Sequence, residues 1–487
     1  MCVACFFVAQ LKALPLQDIG GTLAFQGQDI IGGAAIIFKP PKRDLTGGAA
    51  AMIAAKRSTR SSRNNSTTRT RPPTPPVTAD VTATTATAEN RAETLEDQGN
   101  AHYDRGEFQQ AIEAYQNALK EDSQDAIVYN NLGASFYKIR RYPEALDAFN
   151  NAVRLSPNDA DSLNNLGAVQ YMLEQYDRAV DSFQKAVAAR SDSADAQYNL
   201  GNAYYMTGRQ REAVSAYSQA IALNRNYVEA LTNLGSLRIA LGEFSGATAD
   251  LSRSISLRPN NPVAYNNLGY AYVKIAETSD HTAAVQYLRQ AVDAYKEALR
   301  LKPDYVKAMN NLGAAYNKLG QYQEAADLLL RATRAKPDFP EAHYNLGTAL
   351  YSRGQFKEAV AEFQQAVRLR QDYADAYNSL GSALYKDQQF EPAVEAYKKT
   401  LALRPANAET NNNLGTVYFR TKRYQEAAAC FKEAVRIKPD YGEAHFNLAL
   451  AYVALNDRKG ALDQYNRLKK LDAKLADEFY QRYMKNR

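Results

Sequence analysis

The sequence is short of cysteine, histidine and long apolar runs, and each shortage counts against a class of protein. Three cysteines, Cys2, Cys5 and Cys430, cannot make a disulfide framework, so the fold does not need an oxidising compartment. No apolar run reaches the length of a membrane span. We therefore expect a soluble protein and favour the cytoplasm over export, although the sequence leaves the compartment open.

Basic side chains are concentrated at the N-terminus. Residues 1–91 contain 11 of the 59 Lys and Arg residues and 5 of the 53 Asp and Glu residues, which leaves 48 of each sign in residues 92–487. The net charge of +6 therefore belongs to this N-terminal arm.

The arm, residues 1–91, differs in composition from everything after it. Its apolar start has neither basic residues before it nor a small-residue cleavage site behind it, so it fits a secretory signal poorly. Residues 56–71 place six Lys and Arg among Ser, Thr and Asn, and residues 72–88 are rich in Pro, Thr and Ala. Such a composition buries little apolar surface, so we expect the arm to be largely disordered.

After the arm, one short pattern returns down the chain. Tyr-Asn-Asn-Leu-Gly at 129–133 recurs in variant forms at steps of 34 residues, apart from one step of 44 between Gly269 and Gly313. A fixed period of this size indicates a solenoid made of one repeated supersecondary unit. We assign eleven copies to residues 92–475 and count the places within each copy from its first residue. The copies begin at residues 92, 126, 160, 194, 228, 262, 306, 340, 374, 408 and 442, and the copy at 262 carries a ten-residue insertion.

Glycine and alanine indicate where the two helices of a copy meet. Place eight is Gly in ten copies and place twenty is Ala in all eleven. A Gly inside a helix costs about 1 kcal/mol against Ala, so we expect a large group to pack on its bare backbone. Gly or Asn at place fifteen in six copies predicts a left-handed end to the first helix, and Pro at place thirty-two follows the second. Each copy is therefore predicted to be helix–turn–helix.

With these eleven copies, the chain resembles a tetratricopeptide repeat protein. The resemblance implies an all-α fold, a right-handed α-solenoid superhelix of about eleven helix–turn–helix units whose first helices line a concave groove. It also implies a protein that binds peptides or partner proteins and seldom does chemistry.

Two departures from the repeat need their own interpretation. In the copy at 262, apolar spacing continues through the insertion, so the second helix should start early after an exposed connection at 277–281, capped by Thr278, Ser279 or Asp280. This could be a partner-specific contact or a tolerated lengthening. At the end, Leu475, Phe479 and Tyr483 step by four, which predicts a terminal helix that covers the last open core and ends within 476–487.

A row of asparagines carries the prediction of function. Place six is Asn in nine copies and should lie on the inner side of the first helix, where an amide can pair with any peptide backbone. The row is similar to the asparagine ladder of O-linked N-acetylglucosamine transferases, which holds extended polypeptide. The alternative is that these amides bond to one another or to nearby backbone as part of the repeat. The row comprises Asn131, Asn165, Asn199, Asn233, Asn267, Asn311, Asn345, Asn413 and Asn447.

Amides alone would hold a peptide weakly, so side chains must contribute. One net hydrogen bond of about 1 kcal/mol per copy does not offset the backbone entropy of the roughly three extended residues that span a copy. Place twelve offers aromatic rings that could either face the groove or belong to the core. The peptide-binding candidates at this place are Tyr137, Tyr171, Tyr205, Tyr351 and Tyr385.

Catalysis is a poor match to the remaining residues. The four histidines, His102, His281, His343 and His445, are too dispersed to share a metal, and Cys2 and Cys5 have no second pair. We expect no enzyme activity, no metal and no cofactor.

We therefore predict a noncatalytic scaffold that binds an extended peptide or a partner protein along its concave groove. A small-molecule substrate is not expected, and a groove of mixed charge does not favour nucleic acid. The alternative hypothesis gives the main role to the basic arm, with residues 39–71 binding nucleic acid or an anionic surface and the repeats recruiting a partner. The sequence does not give the oligomeric state.

Overall fold

The computed structural model describes residues 79–484, and over this range it contains 23 α-helices and no strand. We number them α1 to α23 in chain order. The first helix of each copy has an odd number: α1 Ala79–Asp104, α3 Ala126–Lys138, α5 Ala160–Met172, α7 Ala194–Met206, α9 Val228–Ala240, α11 Pro262–Ala276, α13 Val306–Lys318, α15 Pro340–Ser352, α17 Ala374–Lys386, α19 Ala408–Arg420 and α21 Gly442–Ala454. The second helices are α2 Phe108–Glu121, α4 Tyr142–Leu155, α6 Tyr176–Ala189, α8 Gln210–Leu223, α10 Phe244–Leu257, α12 His281–Leu301, α14 Tyr322–Ala335, α16 Phe356–Leu369, α18 Phe390–Leu403, α20 Tyr424–Ile437 and α22 Arg458–Leu471. A final helix, α23, covers Ala473–Phe479.

The described chain divides into two compact units, one ending at Asn267 and the other beginning at Leu268. Within each unit, the two helices of a copy pack against each other, and each second helix packs against the first helix of the next copy. This nearest-neighbour packing is the arrangement of an α-solenoid. The predicted fold class, all-α with repeated helix–turn–helix pairs, is confirmed.

Glycine at place eight lies directly under a large side chain from place twenty-four of the same copy. A Cβ built on Gly133 would lie 2.7 Å from the ring of Phe149, and one on Gly201 would lie 2.7 Å from the ring of Tyr217. Both rings are fully buried. The expected large group is therefore at place twenty-four, and the Ala row at place twenty is buried beside it.

The turn within each copy ends the first helix in the left-handed region. Gly208 has φ of 76°, its N–H bonds to the carbonyl of Tyr205, and the next N–H reaches the carbonyl of Tyr204. This pair of bonds satisfies carbonyls that the helix leaves open. Four copies make the same turn without Gly or Asn, a feature that the sequence did not predict. These residues are Arg140, Glu174, Gln388 and Lys422, with φ between 60° and 64°.

The insertion lengthens the second helix of its copy, as predicted. α12 has 21 residues where the other second helices have 14. Asp280 is its N-cap, and its carboxylate accepts a hydrogen bond from the N–H of Ala283 at 3.0 Å. Seven extra residues extend the helix by about 10 Å, or two turns.

The terminal helix packs on the last copy. Phe479 in α23 is fully buried, and its ring meets Phe446 edge to face with centroids 5.7 Å apart. In this copy Ala449 replaces the place-eight Gly, and the place-twenty-four ring, Tyr465, stacks on Phe479 and Tyr480 instead of being fully buried. The predicted capping helix is confirmed.

At the N-terminus, α1 begins at Ala79, before the predicted start of the first copy at residue 92. The prolines that would stop a helix end at Pro76, so the Ala- and Thr-rich stretch after them extends α1. Residues 79–91, which lie within the arm that we expected to be largely disordered, belong to α1. Residues 1–78, with the basic stretch at 56–71, and residues 485–487 lie outside the described range. None of the described helices is both long and apolar enough to cross a membrane.

Candidate functional site

The first helices form the inner side of the stack within each unit. Successive first helices contact each other, as α3 does α5 and α15 does α17, whereas successive second helices approach each other less closely. A stack curves towards the side on which its elements lie closer together. Place six is on these first helices, so within each unit the asparagine row follows the helices that lie closer together.

Most amides of the row are engaged within the protein. Asn165, Asn199 and Asn345 each donate from Nδ2 to the Oδ1 of the place-five Asn in the preceding copy, at 2.9–3.0 Å. Asn447 donates in the same way to Asn412 at 2.9 Å. All four of these donors are buried. They hold consecutive copies together.

Where the preceding copy lacks Asn at place five, the amide turns to place nine. Asn131 donates to Asn100 at 3.2 Å and Asn267 donates to Ser236 at 2.9 Å. Asn233 donates both to Asn202 at 3.2 Å and to the hydroxyl of Tyr198 at 3.1 Å. The acceptors at places five and nine were missed from the sequence. The Asn-Asn doublet at places five and six of several copies was a signal that could have indicated the place-five acceptor.

Asn413 is the exception in the row. The place-five acceptor before it, Asn378, already accepts from the hydroxyl of Thr410 at 3.0 Å. The hydroxyl of Ser382 at place nine bonds to Tyr397 and to backbone. The side chain of Asn413 makes no hydrogen bond with any other residue of the described range, and the residue is only half-buried. Its amide is therefore available to a partner.

The place-twelve tyrosines pack against the start of the next helix. Tyr171 meets Tyr176 edge to face at 5.3 Å, and Tyr351 meets Phe356 at 5.4 Å. Tyr137 and Tyr385 make equivalent pairs with Tyr142 and Phe390. Tyr171, Tyr351 and Tyr385 are buried, and burial raises the pKa of Tyr171 and Tyr385.

Tyr137 and Tyr205 are the two candidate tyrosines that keep more exposed surface, since both are half-buried. Burial also raises the pKa of Tyr205. The tyrosine row is thus largely part of the packing within each copy, with two rings more open to a partner.

Acidic residues at place two are paired along the same face. Asp161 accepts from Arg190 at 2.5 and 2.9 Å, and Asp375 accepts from Arg404 at 2.6 Å. In each case the arginine directly follows the second helix of the same copy. These acids therefore stabilise their own copy.

Basic residues at place thirteen differ in whether they form an ion pair within the described chain. Glu277, in the connection before α12, bonds to Lys274 at 2.9 Å and to Lys318 of the next copy at 3.1 Å. Lys386 and Arg420 occupy the same place in the ninth and tenth copies and form no ion pair within residues 79–484.

No group of three or more His, Cys, Asp or Glu side chains in the described range is arranged to hold a metal ion. His343 and His445 hydrogen-bond to backbone carbonyls and to second-helix side chains. Burial raises the pKa of Cys430 to about 11, which keeps this thiol protonated at neutral pH.

Comparison with protein families agrees with this geometry. Models described as tetratricopeptide repeat match residues 96–160, 148–181, 194–227, 378–442 and 412–476, and a model described as TPR repeat matches 171–208, 235–275, 288–320, 313–352 and 347–388. Together they span well over half of the chain. The chain belongs to the tetratricopeptide repeat family. In this TPR protein, residues 276–287 around the insertion fall between two matches.

Solved structures of TPR proteins are similar to parts of the chain. YrrB, described as a TPR protein with an unusual peptide-binding site, is 24% identical with a TM-score of 0.34 and covers 40% of this chain and 95% of its own. A thermophilic TPR protein from Thermus thermophilus is 27% identical with a TM-score of 0.33, covering 40% and 100%. Yeast Tom70 is 16% identical with a TM-score of 0.35, covering 80% and 94%. No curated protein matches the sequence.

Proposed function

We propose that this TPR protein is a noncatalytic scaffold that captures an extended peptide segment of a partner protein along the inner face of its first helices. The observation that carries the proposal is the row of polar side chains that the first helices carry at the same places from copy to copy within each unit. In seven copies the amide of the row bonds to the copy before it, and these bonds keep the row in register.

The bonding pattern assigns different tasks to members of the row. Buried amides that donate to a preceding copy fix the spacing of the first helices. Half-buried members, Asn233 and Asn413 together with Tyr137 and Tyr205, are the ones that a peptide could reach. A peptide would thus be held at separated points, which fits the requirement that side-chain burial supply most of the binding energy.

The test is to select random 12-residue peptides displayed on phage against the full chain. Enriched peptides would then be synthesised with a photoreactive benzoylphenylalanine and cross-linked to the protein, and the attachment points located by mass spectrometry. We expect cross-links on the odd-numbered helices. Cross-links confined to the even-numbered helices, or no enrichment over an unrelated helical protein, would contradict the proposal.

A further inference from the structure

Basic residues stand at place thirteen of two consecutive copies at only two points in the array. The first pair is Lys274 and Lys318, and the second is Lys386 and Arg420. Place thirteen lies in the last turn of the first helix, so a basic side chain there also complements the helix dipole. That effect requires no ligand, and the test below separates it from binding.

At the first pair, the protein shows what such an arrangement binds. The carboxylate of Glu277 bridges the two copies, with Oε2 at 2.9 Å from Lys274 and Oε1 at 3.1 Å from Lys318. The lysine side chains are only 15% and 14% exposed, so the bridge is well covered. Glu277 comes from the connection that the insertion created. A single carboxylate thus fits between consecutive basic residues at place thirteen.

At the second pair, no carboxylate from the described chain takes this position. The ninth copy has no insertion, and Gln389 is its residue at the place equivalent to Glu277. Asp387, next to Lys386 in sequence, accepts instead from Gln389 at 2.6 Å. Lys386 is half-buried and Arg420 is exposed.

Arg420 lies close enough to the ninth copy for its charge to act there. Burial raises the pKa of Tyr385, and the positive charge of Arg420 opposes this rise, so the guanidinium acts on a residue next to Lys386. Lys386 and Arg420 occupy the same place in consecutive copies, as Lys274 and Lys318 do, so the two basic groups are expected to lie near one another.

The available amide lies beside them. Asn413 precedes Arg420 by seven residues in α19, which is two turns and hence the same face of the helix. Its usual acceptor is occupied by Thr410. The ninth and tenth copies thus bring together two unpaired basic groups and the amide of the row that has no partner in the described chain.

We propose that Lys386, Arg420 and Asn413 form a site for an Asp or Glu side chain within an extended segment of a partner protein. The carboxylate takes the position that Glu277 takes at the first pair, and Asn413 bonds to the backbone of the same segment. This inference rests on the proposed function and names the residue type that the inner face selects.

The phage selection described above also tests this site, because a displayed peptide fused through its C-terminus offers side-chain carboxylates and no terminal one. We expect Asp and Glu to be enriched at one position on the wild-type chain. Fluorescence anisotropy with the best peptide should show that the Lys386→Gln/Arg420→Gln variant binds it about tenfold more weakly than the wild type does. The factor corresponds to the loss of two charge pairs that contribute somewhat under 1 kcal/mol each. The Lys386→Glu/Arg420→Glu variant should select Lys or Arg instead.

The first pair supplies a matched control. Replacing Glu277 with Ala removes the internal bridge and vacates its position, so Glu277→Ala should bind a second molecule of the same acidic peptide, and Lys274→Gln/Lys318→Gln in the wild type should leave peptide affinity unchanged. Circular dichroism should show unaltered helix content in all of these variants.

The outcomes also separate this site from the proposed function. Enriched peptides could cross-link to odd-numbered helices and yet show no acidic preference and bind the Lys386→Gln/Arg420→Gln variant equally well. This result would overturn the site and leave the scaffold proposal standing. A selection that yields no inner-face peptide would overturn both.

Discussion

At the scale of the residue, the asparagines of the inner row differ according to whether the preceding copy offers them an acceptor. Asn447 is buried and donates to Asn412 at 2.9 Å, whereas Asn413 is half-buried and has no partner in the described chain. The same residue type at the same place thus stabilises one copy and is open to a ligand in another.

This difference predicts opposite results for the same substitution. Asn447→Ala should destabilise the last copies by about 1–3 kcal/mol, because it removes a buried hydrogen bond and leaves Asn412 without its donor. Asn413→Ala should change stability by less than about 0.5 kcal/mol. Hydrogen exchange of α19 and α21 measures both effects. Equal losses from the two variants would show that Asn413 has a structural partner after all.

Glycine at place eight is predicted to be irreplaceable for steric reasons. In Gly133→Ala, the better helix propensity gains about 1 kcal/mol, but a Cβ 2.7 Å from Phe149 overpacks the core at a cost of about 1–3 kcal/mol. We expect net destabilisation of up to about 2 kcal/mol, measured by urea unfolding. Gly442→Ala is the control, because the nearest atom to its Cβ is 3.8 Å away, and it should be neutral or slightly stabilising.

His343 provides a prediction of pH dependence. Its Nδ1 lies 2.7 Å from the carboxylate of Glu362 and its Nε2 lies 3.0 Å from the carbonyl of Pro337 in the preceding copy. Both partners are acceptors, so only the protonated ring, with two N–H groups, satisfies both. Burial and the nearby charge of Arg368 act to lower the pKa of His343, but the hydrogen bonds to Glu362 and Pro337 outweigh them and leave it raised.

Because the pKa is raised in the folded state, the stabilisation is complete below the ordinary histidine pKa of about 6.5 and is lost as the pH rises through the folded value. Thermal unfolding followed upward from about pH 5, below the ordinary histidine pKa, should show stability falling as the pH rises above about 6.5. Glu362→Gln should flatten the pH profile, since it copies the arrangement of His445 with Gln464, whose amide can offer either a donor or an acceptor. A profile that Glu362→Gln leaves unchanged would exclude His343 as its source.

At the scale of the element, the turns show how four copies tolerate an unfavourable backbone. Glu174 has φ of 60°, makes the same two backbone bonds as the glycine turns, and has an exposed side chain. A left-handed backbone costs an ordinary residue about 1–2 kcal/mol.

Glu174→Gly should therefore stabilise the third copy by about 0.5–1 kcal/mol, after allowing for the greater flexibility of Gly in the unfolded chain. Gly208→Ala should destabilise the fourth copy by about 1 kcal/mol. The denaturation midpoints of the two variants should move in opposite directions. Movement in the same direction would indicate that side-chain contacts, and not backbone strain, govern these turns.

Helices and turns were the part of the fold most accessible from sequence, because each copy repeats the same local signals. Gly, Ala and Pro recur at fixed places, and the lengthened helix was predicted because apolar spacing continues through the insertion. The left-handed turns at Arg140, Glu174, Gln388 and Lys422 were not predicted. An exposed charged or polar residue gives no signal of a left-handed backbone, because only the packing of the two helices enforces it.

At the scale of the whole molecule, a stack of repeats requires an ending. Phe479→Ala should destabilise the last copy by about 3–5 kcal/mol, because a fully buried ring that packs on Phe446 and Tyr465 is lost. Leu462→Ala in the same copy is the control, since that side chain is 45% exposed and should contribute little. Hydrogen exchange should show α21 to α23 opening first in the Phe479 variant. Similar exchange in both variants would mean that α23 does not act as a cap.

The candidate site was less predictable than the fold. Aligning the copies gives the place of each side chain within a copy, but not which groups meet across two copies. Asn413 has the same place in the alignment as Asn165, yet Asn165 donates to Asn130 whereas the side chain of Asn413 donates to no residue of the described chain. The tyrosines at place twelve similarly required knowledge of the rings that start the next helix.

The amide bonds between copies also have a direction. In every bond described above from the asparagine row, the donor belongs to the later copy and the acceptor to the earlier one. A chain leaves the ribosome from its N-terminus, so each newly made copy meets an acceptor that is already in place. The folded array can therefore grow in step with translation, and no emerging asparagine of these bonds has to wait for a later segment to satisfy it.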